Sequence, residues 1–128
     1  MVDGRRTFPG YERRGIGPRV IQNQNRCIPC TRCIRFTTEV SETADLAMKS
    51  RGNHSYIDTF DGRPFDNPWS ACPADVCPVG ALTVTAFRFR ARVWPLAAPR
   101  TTSPGCSIGC NVLLGHLDGA VHRFVPRQ

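Results

Sequence analysis

The sequence contains only one lysine, Lys49, although 17 of its 128 residues are basic. Arginine therefore supplies nearly all of the net charge of +7. Arginine is the basic residue that forms fixed ion pairs and interfaces more readily than lysine does. A basic surface fits nucleic acid, acidic lipid or an acidic protein, so the charge alone selects none of these partners.

Long apolar stretches are also missing. Nothing in the chain approaches 18 consecutive apolar residues, so the sequence predicts no transmembrane helix. Residues 1–18 combine charges with Gly and Pro and lack the apolar segment of a signal peptide. We therefore expect a reducing, cytosol-like compartment, where clustered thiols bind metal more often than they form disulfides.

Patterns typical of enzyme active sites are lacking as well. Gly15-Ile16-Gly17 has neither the third glycine nor the preceding strand of a dinucleotide fingerprint, and there is no P-loop. The three histidines show no arrangement that ties an imidazole to a thiol, which disfavours a nucleophilic cysteine. The sequence therefore predicts no catalytic residue in this chain.

Glycine and proline are frequent, with 11 of each, and they predict short elements separated by turns. Residues 1–25 are polar and indicate an extended lead-in. The composition is more helical from Cys27 to about Met48, and Tyr56–Phe60 predicts one short strand before an Asp61-Gly62 turn. Residues 77–82 indicate a helical turn, with Pro78 suited to its first position.

The second half of the chain has a β pattern. Apolar and basic residues alternate over Phe87–Trp94, which predicts a half-buried strand with three arginines on one face. Aromatic-interleaved contacts to nucleic acid are a less favoured interpretation of the same pattern. After a Pro-rich joint at Pro95–Gly105, the segments Cys110–Leu114 and Ala120–Val125 flank Asp118-Gly119 and predict a β-hairpin.

Seven cysteines are present, and three of them, Cys27, Cys30 and Cys33, form a C-x2-C-x2-C motif. Three thiolates on a curling loop can point at one compact object, and an iron–sulfur cube offers one iron corner to each. Zinc is the rival, but zinc sites typically pair two short cysteine knuckles. Three ligands from one loop and one from far along the chain favour a [4Fe–4S] cluster.

Two Cys-Pro pairs, Cys72-Pro73 and Cys77-Pro78, offer the fourth thiol, and spacing alone leaves both open. A two-cluster ferredoxin is disfavoured because Thr37 stands where its next cysteine would be. Cys106 and Cys110 form a C-x3-C pair with no later cysteine, and we expect two free or partly buried thiols there.

Four motifs then carry a family resemblance: NRCIPCTRCIRF, RGNHSYIDTFDGRP, DVCPVGALT and FRFRARVWPL. In this order they resemble the large iron–sulfur subunit of NADH-quinone oxidoreductase, respiratory complex I. The tail SPGCSIGCNV is similar to the start of that subunit's molybdopterin-oxidoreductase-like region. The expected fold class is α+β, with an extended lead-in at 1–25, a cluster-binding domain at 26–94, and an incomplete molybdopterin-type region with a hairpin at 95–128.

The resemblance implies one [4Fe–4S] cluster that relays single electrons. Carried over, its ligands are Cys27, Cys30, Cys33 and Cys77. The implied partners are flavin-bearing and quinone-side iron–sulfur subunits, without nucleic acid and without direct membrane insertion. The implied location is the cytoplasmic side of the inner membrane, in a peripheral position, and the chain holds no complete active site of its own. A cluster module of an NAD-reducing hydrogenase or of a formate dehydrogenase diaphorase is the alternative, and a zinc-stabilised module that binds nucleic acid is the alternative of another class.

Two departures from the family pattern bear on the other cysteines. Ser103 stands first where some members have a complete C-x2-C-x3-C, which leaves Cys106 and Cys110 as a pair. Cys72 stands where members have a small or amide residue. Three arginines flank the ligand loop, and they either favour the reduced cluster or form ion pairs at the surface or at an interface: Arg26, Arg32 and Arg35. Four apolar residues should shield the cluster from water: Ile28, Ile34, Val79 and Leu82.

Overall fold

The structure, a computed structural model, describes residues 14–60 and 62–127. The chain divides into two compact units, the first ending at Thr85 and the second beginning at Ala86. Helices are few and short, and the strands pair only antiparallel. The predicted α+β class with short helices is confirmed. Among the described residues, no helix combines the length and the apolar character needed to cross a lipid bilayer.

Two small sheets form the frame of the first unit. One has three strands, with β2 (Val20–Gln22) between β1 (Arg14–Gly15) and β5 (Leu82–Val84). The other is the hairpin of β3 (Leu46–Lys49) and β4 (Tyr56–Thr59), with a 3-10 turn at Gly52–His54 between its strands. The predicted strand at Tyr56–Phe60 is thus confirmed. The turn predicted after it includes residue 61, which lies outside the described residues.

Helix α1 (Arg32–Arg35) continues as a π-helical turn over Phe36–Val40. The hydroxyls of Thr37 and Thr38 both donate to the carbonyl of Ile34, at 2.9 and 3.0 Å. These bonds compete with the backbone ladder, and such competition often bends or widens a helix. The helical composition predicted up to Met48 therefore ends early, since Leu46–Lys49 is strand β3.

Helix α2 covers Cys72–Val76, and its first turn contains Pro73, which is buried. The helical turn predicted at 77–82 is wrong, because Cys77 is already extended and Gly80 has a left-handed φ of 63°. Proline is favoured at the first turn of a helix, and here the first Cys-Pro pair starts the helix. The second pair follows its end.

The core of the first unit lies between the two sheets and the helices. Its buried apolar residues are Ile16, Val20, Cys33, Leu46, Ile57, Phe65 and Leu82. The two sheets are also linked by polar groups, because the buried Gln22 amide on β2 donates to the carbonyl of Ile57 on β4. On the same hairpin the buried Asp58 carboxylate contacts the side chains of Arg14 at 2.8 Å and Lys49 at 3.4 Å. Cys33 belongs to this core, so the cysteine loop is anchored to the best-packed part of the unit.

The second unit contains one antiparallel sheet, with β7 (Asn111–Leu117) between β6 (Arg100–Thr102) and β8 (Ala120–Pro126). The predicted C-terminal hairpin is confirmed. Asp118 and Gly119 form its two-residue turn with φ values of 51° and 79°, the left-handed pair that a type I′ turn requires.

The strand predicted at Phe87–Trp94 is wrong. Residues 85–90 form turns, in which the Arg90 N–H donates to the Phe87 carbonyl at 3.1 Å, and Phe89 has a φ of 58°. Nor are the aromatics of this segment all buried, since Phe89 is 73% and Trp94 is 78% exposed. An alternating pattern gives a strand only where a neighbouring strand takes up its backbone groups and a core covers one face.

Candidate metal centre

The pairing of β2 with β5 brings the two cysteine segments together. Gln22 lies opposite Leu82 in this antiparallel register. Cys27 follows Gln22 by five residues and Cys77 precedes Leu82 by five, so the chain returns to the same end of the ladder. A backbone bond of 2.7 Å from the Asn23 N–H to the Ala81 carbonyl extends the contact towards the cysteines.

Local geometry then shapes the cysteine loop. Asn23 caps a 3-10 turn at Gln24–Arg26 by accepting from the Asn25 N–H at 3.1 Å, and Cys27 ends this turn. Thr31 adopts a left-handed φ of 59°, which reverses the chain before α1 begins. Cys33 therefore lies in the first turn of α1, where it is buried.

All four predicted ligands, Cys27, Cys30, Cys33 and Cys77, line one pocket. The space within it that atoms do not fill is about 360 Å³ and is partly open to solvent. Its other lining residues are Gln22, Ile28, Arg32, Ile57, Val79, Ala81 and Leu82. Four thiols, mostly apolar walls and one cationic side chain thus share a single site.

Burial and mutual proximity act on the thiols of the pocket. Burial raises the pKa of Cys33 to about 11, and the neighbouring Cys27 and Cys30 contribute to this rise. The pKa of Cys27 is raised as well, first by burial and then by Cys30 and Cys77. Burial and the neighbouring cysteines therefore oppose the ionisation of Cys27 and Cys33, and a cationic metal centre in the pocket would favour the loss of their protons.

The remaining cysteines are placed differently. Cys72 lies in the first turn of α2 and does not line the pocket. Its pKa is raised by burial and by Asp75, with no contribution from another cysteine. Cys106 and Cys110 are exposed residues of the second unit.

In the part of the chain that the structure describes, no three Cys, His, Asp or Glu side chains are close enough together to hold a single metal ion.

Three of the four apolar residues expected to shield the site, Ile28, Val79 and Leu82, do line the pocket. Ile34 instead packs against the core. Of the three flanking arginines only Arg32 lines the pocket.

The sequence analysis missed Gln22 and Ile57. They come from β2 and β4, and no local pattern connects these strands to the cysteine loop. Only the tertiary packing of the two sheets brings them to the pocket.

Known proteins resemble this chain over most of its length. Residues 17–83 match the family model of the NADH-quinone oxidoreductase subunit 3, ferredoxin-like domain. The NADH-ubiquinone oxidoreductase 75 kDa subunit of Reclinomonas americana is 38% identical over 118 residues, 92% of this chain and 17% of that protein. The NADH dehydrogenase [ubiquinone] iron-sulfur protein 1, mitochondrial, of Solanum tuberosum is 38% identical over 114 residues, 89% of this chain and 15% of that protein.

A solved structure is similar as well. An NAD+-reducing [NiFe]-hydrogenase in the H2-reduced state gives a TM-score of 0.54 at 29% identity, over 67% of this chain and 38% of the hydrogenase chain. This chain thus spans less than a fifth of the length of the curated relatives named above.

Proposed function

Because this chain belongs to the family of the ferredoxin-like domain of NADH-quinone oxidoreductase subunit 3, we propose that it transfers single electrons through one [4Fe–4S] cluster. The proposed ligands are Cys27, Cys30, Cys33 and Cys77. One observation carries the proposal: these four thiols line a single pocket although fifty residues separate the first from the last.

The donor set fits this group. Cysteine thiolates are the usual protein ligands of such clusters, which take one per iron. When bound, the cluster accepts and releases one electron at a time. The chain's own part is to hold the thiolates, to limit the access of water with the side chains of Ile28, Val79 and Leu82, and to set the local charge.

The assembly is part of the same proposal. Relatives named as subunits of NADH-ubiquinone oxidoreductase match about nine-tenths of this chain. We therefore propose flavin-bearing and quinone-side iron–sulfur subunits as its partners, and a peripheral position on the cytoplasmic side of the membrane. Residues 26–94 would form the cluster domain and residues 95–128 the start of a molybdopterin-type region.

The hydrogenase similarity supports a second candidate, a cluster module of an NAD-reducing hydrogenase. Its 29% identity over two thirds of the chain is weaker support than 38% over nine-tenths. Native purification from the source organism separates the two. Quinone-dependent NADH oxidation in the fraction that contains this chain supports the first, and hydrogen-dependent NAD+ reduction supports the second.

Anaerobic reconstitution tests the cluster directly. We expect the purified chain, treated with iron and sulfide, to show a broad brown visible absorption that dithionite bleaches, because the four thiolates bind the iron corners. Iron and acid-labile sulfide analysis should give about four of each per chain. A colourless protein with one bound zinc would contradict the proposal and favour the zinc module.

Arg32 is expected to tune the cluster. Its guanidinium is the one charged group among the side chains that line the described pocket, and a nearby cation favours the reduced, more negative state. Arg32→Gln should therefore lower the reduction potential by a few tens of millivolts, because Arg32 is exposed and water screens most of its charge. Redox titration followed by visible absorption measures this shift.

Arg35→Gln is the matched control, since Arg35 lies on the same helix without lining the pocket. It should shift the potential by much less. Equal shifts in the two variants would mean that Arg32 acts only through the net charge of the chain.

A further inference from the structure

Positive charge is concentrated in the second unit. Residues 86–128 contain six arginines, no lysine and a single acidic residue, Asp118, so they carry five of the chain's seven net positive charges. The proposed cluster site lies in the first unit and makes no use of this charge. The excess therefore requires an explanation of its own.

Exposed apolar side chains accompany the charge over Arg88–Trp94, here called the arginine–aromatic segment. Three of its side chains are largely exposed: Phe89 at 73%, Val93 at 51% and Trp94 at 78%. Arg90 and Arg92 are exposed between them. Aromatic residues and arginine are the types most enriched at the energetic centres of protein interfaces.

Side chains of the segment contact one another within the second unit. The guanidinium of Arg88 stacks on the Phe89 ring at 4.7 Å, and that of Arg92 stacks on the Trp94 ring at 5.3 Å. Arg123 on β8 stacks at 5.0 Å on Phe87, the residue that precedes the segment, and so connects the start of the segment to the sheet of the same unit. Side chains already held in place lose less entropy on binding.

The backbone conformation of Phe89 is a further observation in favour of an interaction surface. Its φ of 58° is a left-handed conformation that bulky residues adopt at a cost in energy, and its ring remains mostly exposed. The ring is therefore presented on the surface of the second unit, where it is accessible to a partner.

We propose that the arginine–aromatic segment is a docking surface for an acidic protein partner. Carboxylates of the partner would bind the planar guanidinium groups of Arg90 and Arg92, and its apolar side chains would cover Phe89 and Trp94. Nucleic acid is the competing occupant, and for it one face of each ring is already taken by an arginine, which leaves only the other face for a base. An anionic bilayer fits less well because arginines interrupt the apolar surface that would enter the lipid.

Fluorescence anisotropy of the reconstituted full chain tests the proposal. The main probe is a short fluorescein-labelled peptide of alternating glutamate and tyrosine, and an oligothymidine of equal charge is the comparison. Flotation with phosphatidylglycerol vesicles tests lipid. We expect the peptide to bind most tightly, with an affinity that falls as salt rises.

A matched pair of variants separates local recognition from net charge. Arg90→Gln with Arg92→Gln should weaken peptide binding about tenfold. Arg51→Gln with Arg63→Gln removes the same two charges from exposed positions of the first unit and should leave binding nearly unchanged. Equal losses in the two double variants, or tighter binding to oligothymidine or vesicles than to the peptide, would overturn the proposal.

Phe89→Gly distinguishes a docking role from a folding role. Glycine accepts the left-handed φ without strain, so the melting temperature should stay the same or rise. Peptide binding should weaken because the exposed ring is lost. A variant that unfolds at lower temperature and binds as before would show that the ring serves the fold, which would also overturn the proposal.

Discussion

Cys77→Ser is expected to leave the reconstituted chain without its brown iron–sulfur absorption, whereas Cys72→Ser should retain it. Cys77 lines the same pocket as Cys27 and lies close enough to it to raise the pKa of the Cys27 thiol. Burial and the nearby Asp75 raise the pKa of Cys72, and this residue does not line the pocket. A serine hydroxyl binds iron poorly compared with a thiolate. Cys77→Ser therefore removes a ligand, whereas Cys72→Ser changes a residue that does not bind the cluster.

The two variants make the same chemical change five residues apart, and each serves as the control for the other. Absorption after reconstitution and the iron content per chain measure the outcome. Loss of the cluster in Cys72→Ser with retention in Cys77→Ser would mean that the ligand assignment is reversed. Retention in both would mean that three thiols of the loop suffice.

Gly17→Ala is expected to destabilise the first unit strongly. A Cβ atom built on Gly17 would lie far inside van der Waals contact of the Phe65 carbonyl oxygen. The clash is with backbone, and the neighbouring Phe65 N–H is held by the Ile16 carbonyl at 2.7 Å, so the segments can part only by breaking this bond. Overpacking of this kind costs about 3 kcal/mol, a large part of the stability of a small domain.

Gly15→Ala is the matched control, because a Cβ atom there meets nothing within 4 Å. It should change stability by less than about 0.5 kcal/mol. Urea unfolding of the reconstituted chain, followed by circular dichroism, compares the two variants with the parent. Similar unfolding midpoints in both variants would show that the loop before Phe65 moves away at little cost.

The elements that the sequence predicted well are those determined by short-range chemistry. The Asp118-Gly119 turn can adopt two consecutive left-handed residues, so the hairpin around it could be predicted from the sequence. The helix at α2 shows the limit of such rules. Both Cys-Pro pairs offer proline to a first turn, and they differ in the structure because Cys77 is extended and Gly80 has a left-handed φ shortly before β5 begins.

The strand predicted at Phe87–Trp94 was wrong for a different reason. Alternation of apolar and basic residues describes a surface with two faces, and it does not specify what covers the apolar one. Here arginine side chains stack on the rings instead of a neighbouring strand packing on them. A burial pattern read from one sequence cannot tell an internal core from a surface that another molecule covers.

The residues of the candidate site also differ in how far the sequence could predict them. The cysteine loop is a local motif, and Cys77 was assigned through a family resemblance; the structure places all four thiols at one pocket. Gln22 and Ile57 were missed because their strands meet the loop only in three dimensions. Sequence spacing identifies donor atoms that share a segment, and walls contributed by distant strands require the folded chain.

The sheet of the second unit has few buried side chains, and this determines how the chain begins to unfold. Among the described residues from 86 onward, Gly115 alone is buried, whereas the first unit has a packed core. Little apolar contact resists separation of β6, β7 and β8, so their amides should exchange with deuterated water through local openings well below the global unfolding energy. The first unit should keep its slowest amides near Val20 and Leu46, so the chain would open in steps, with the sheet of the second unit first.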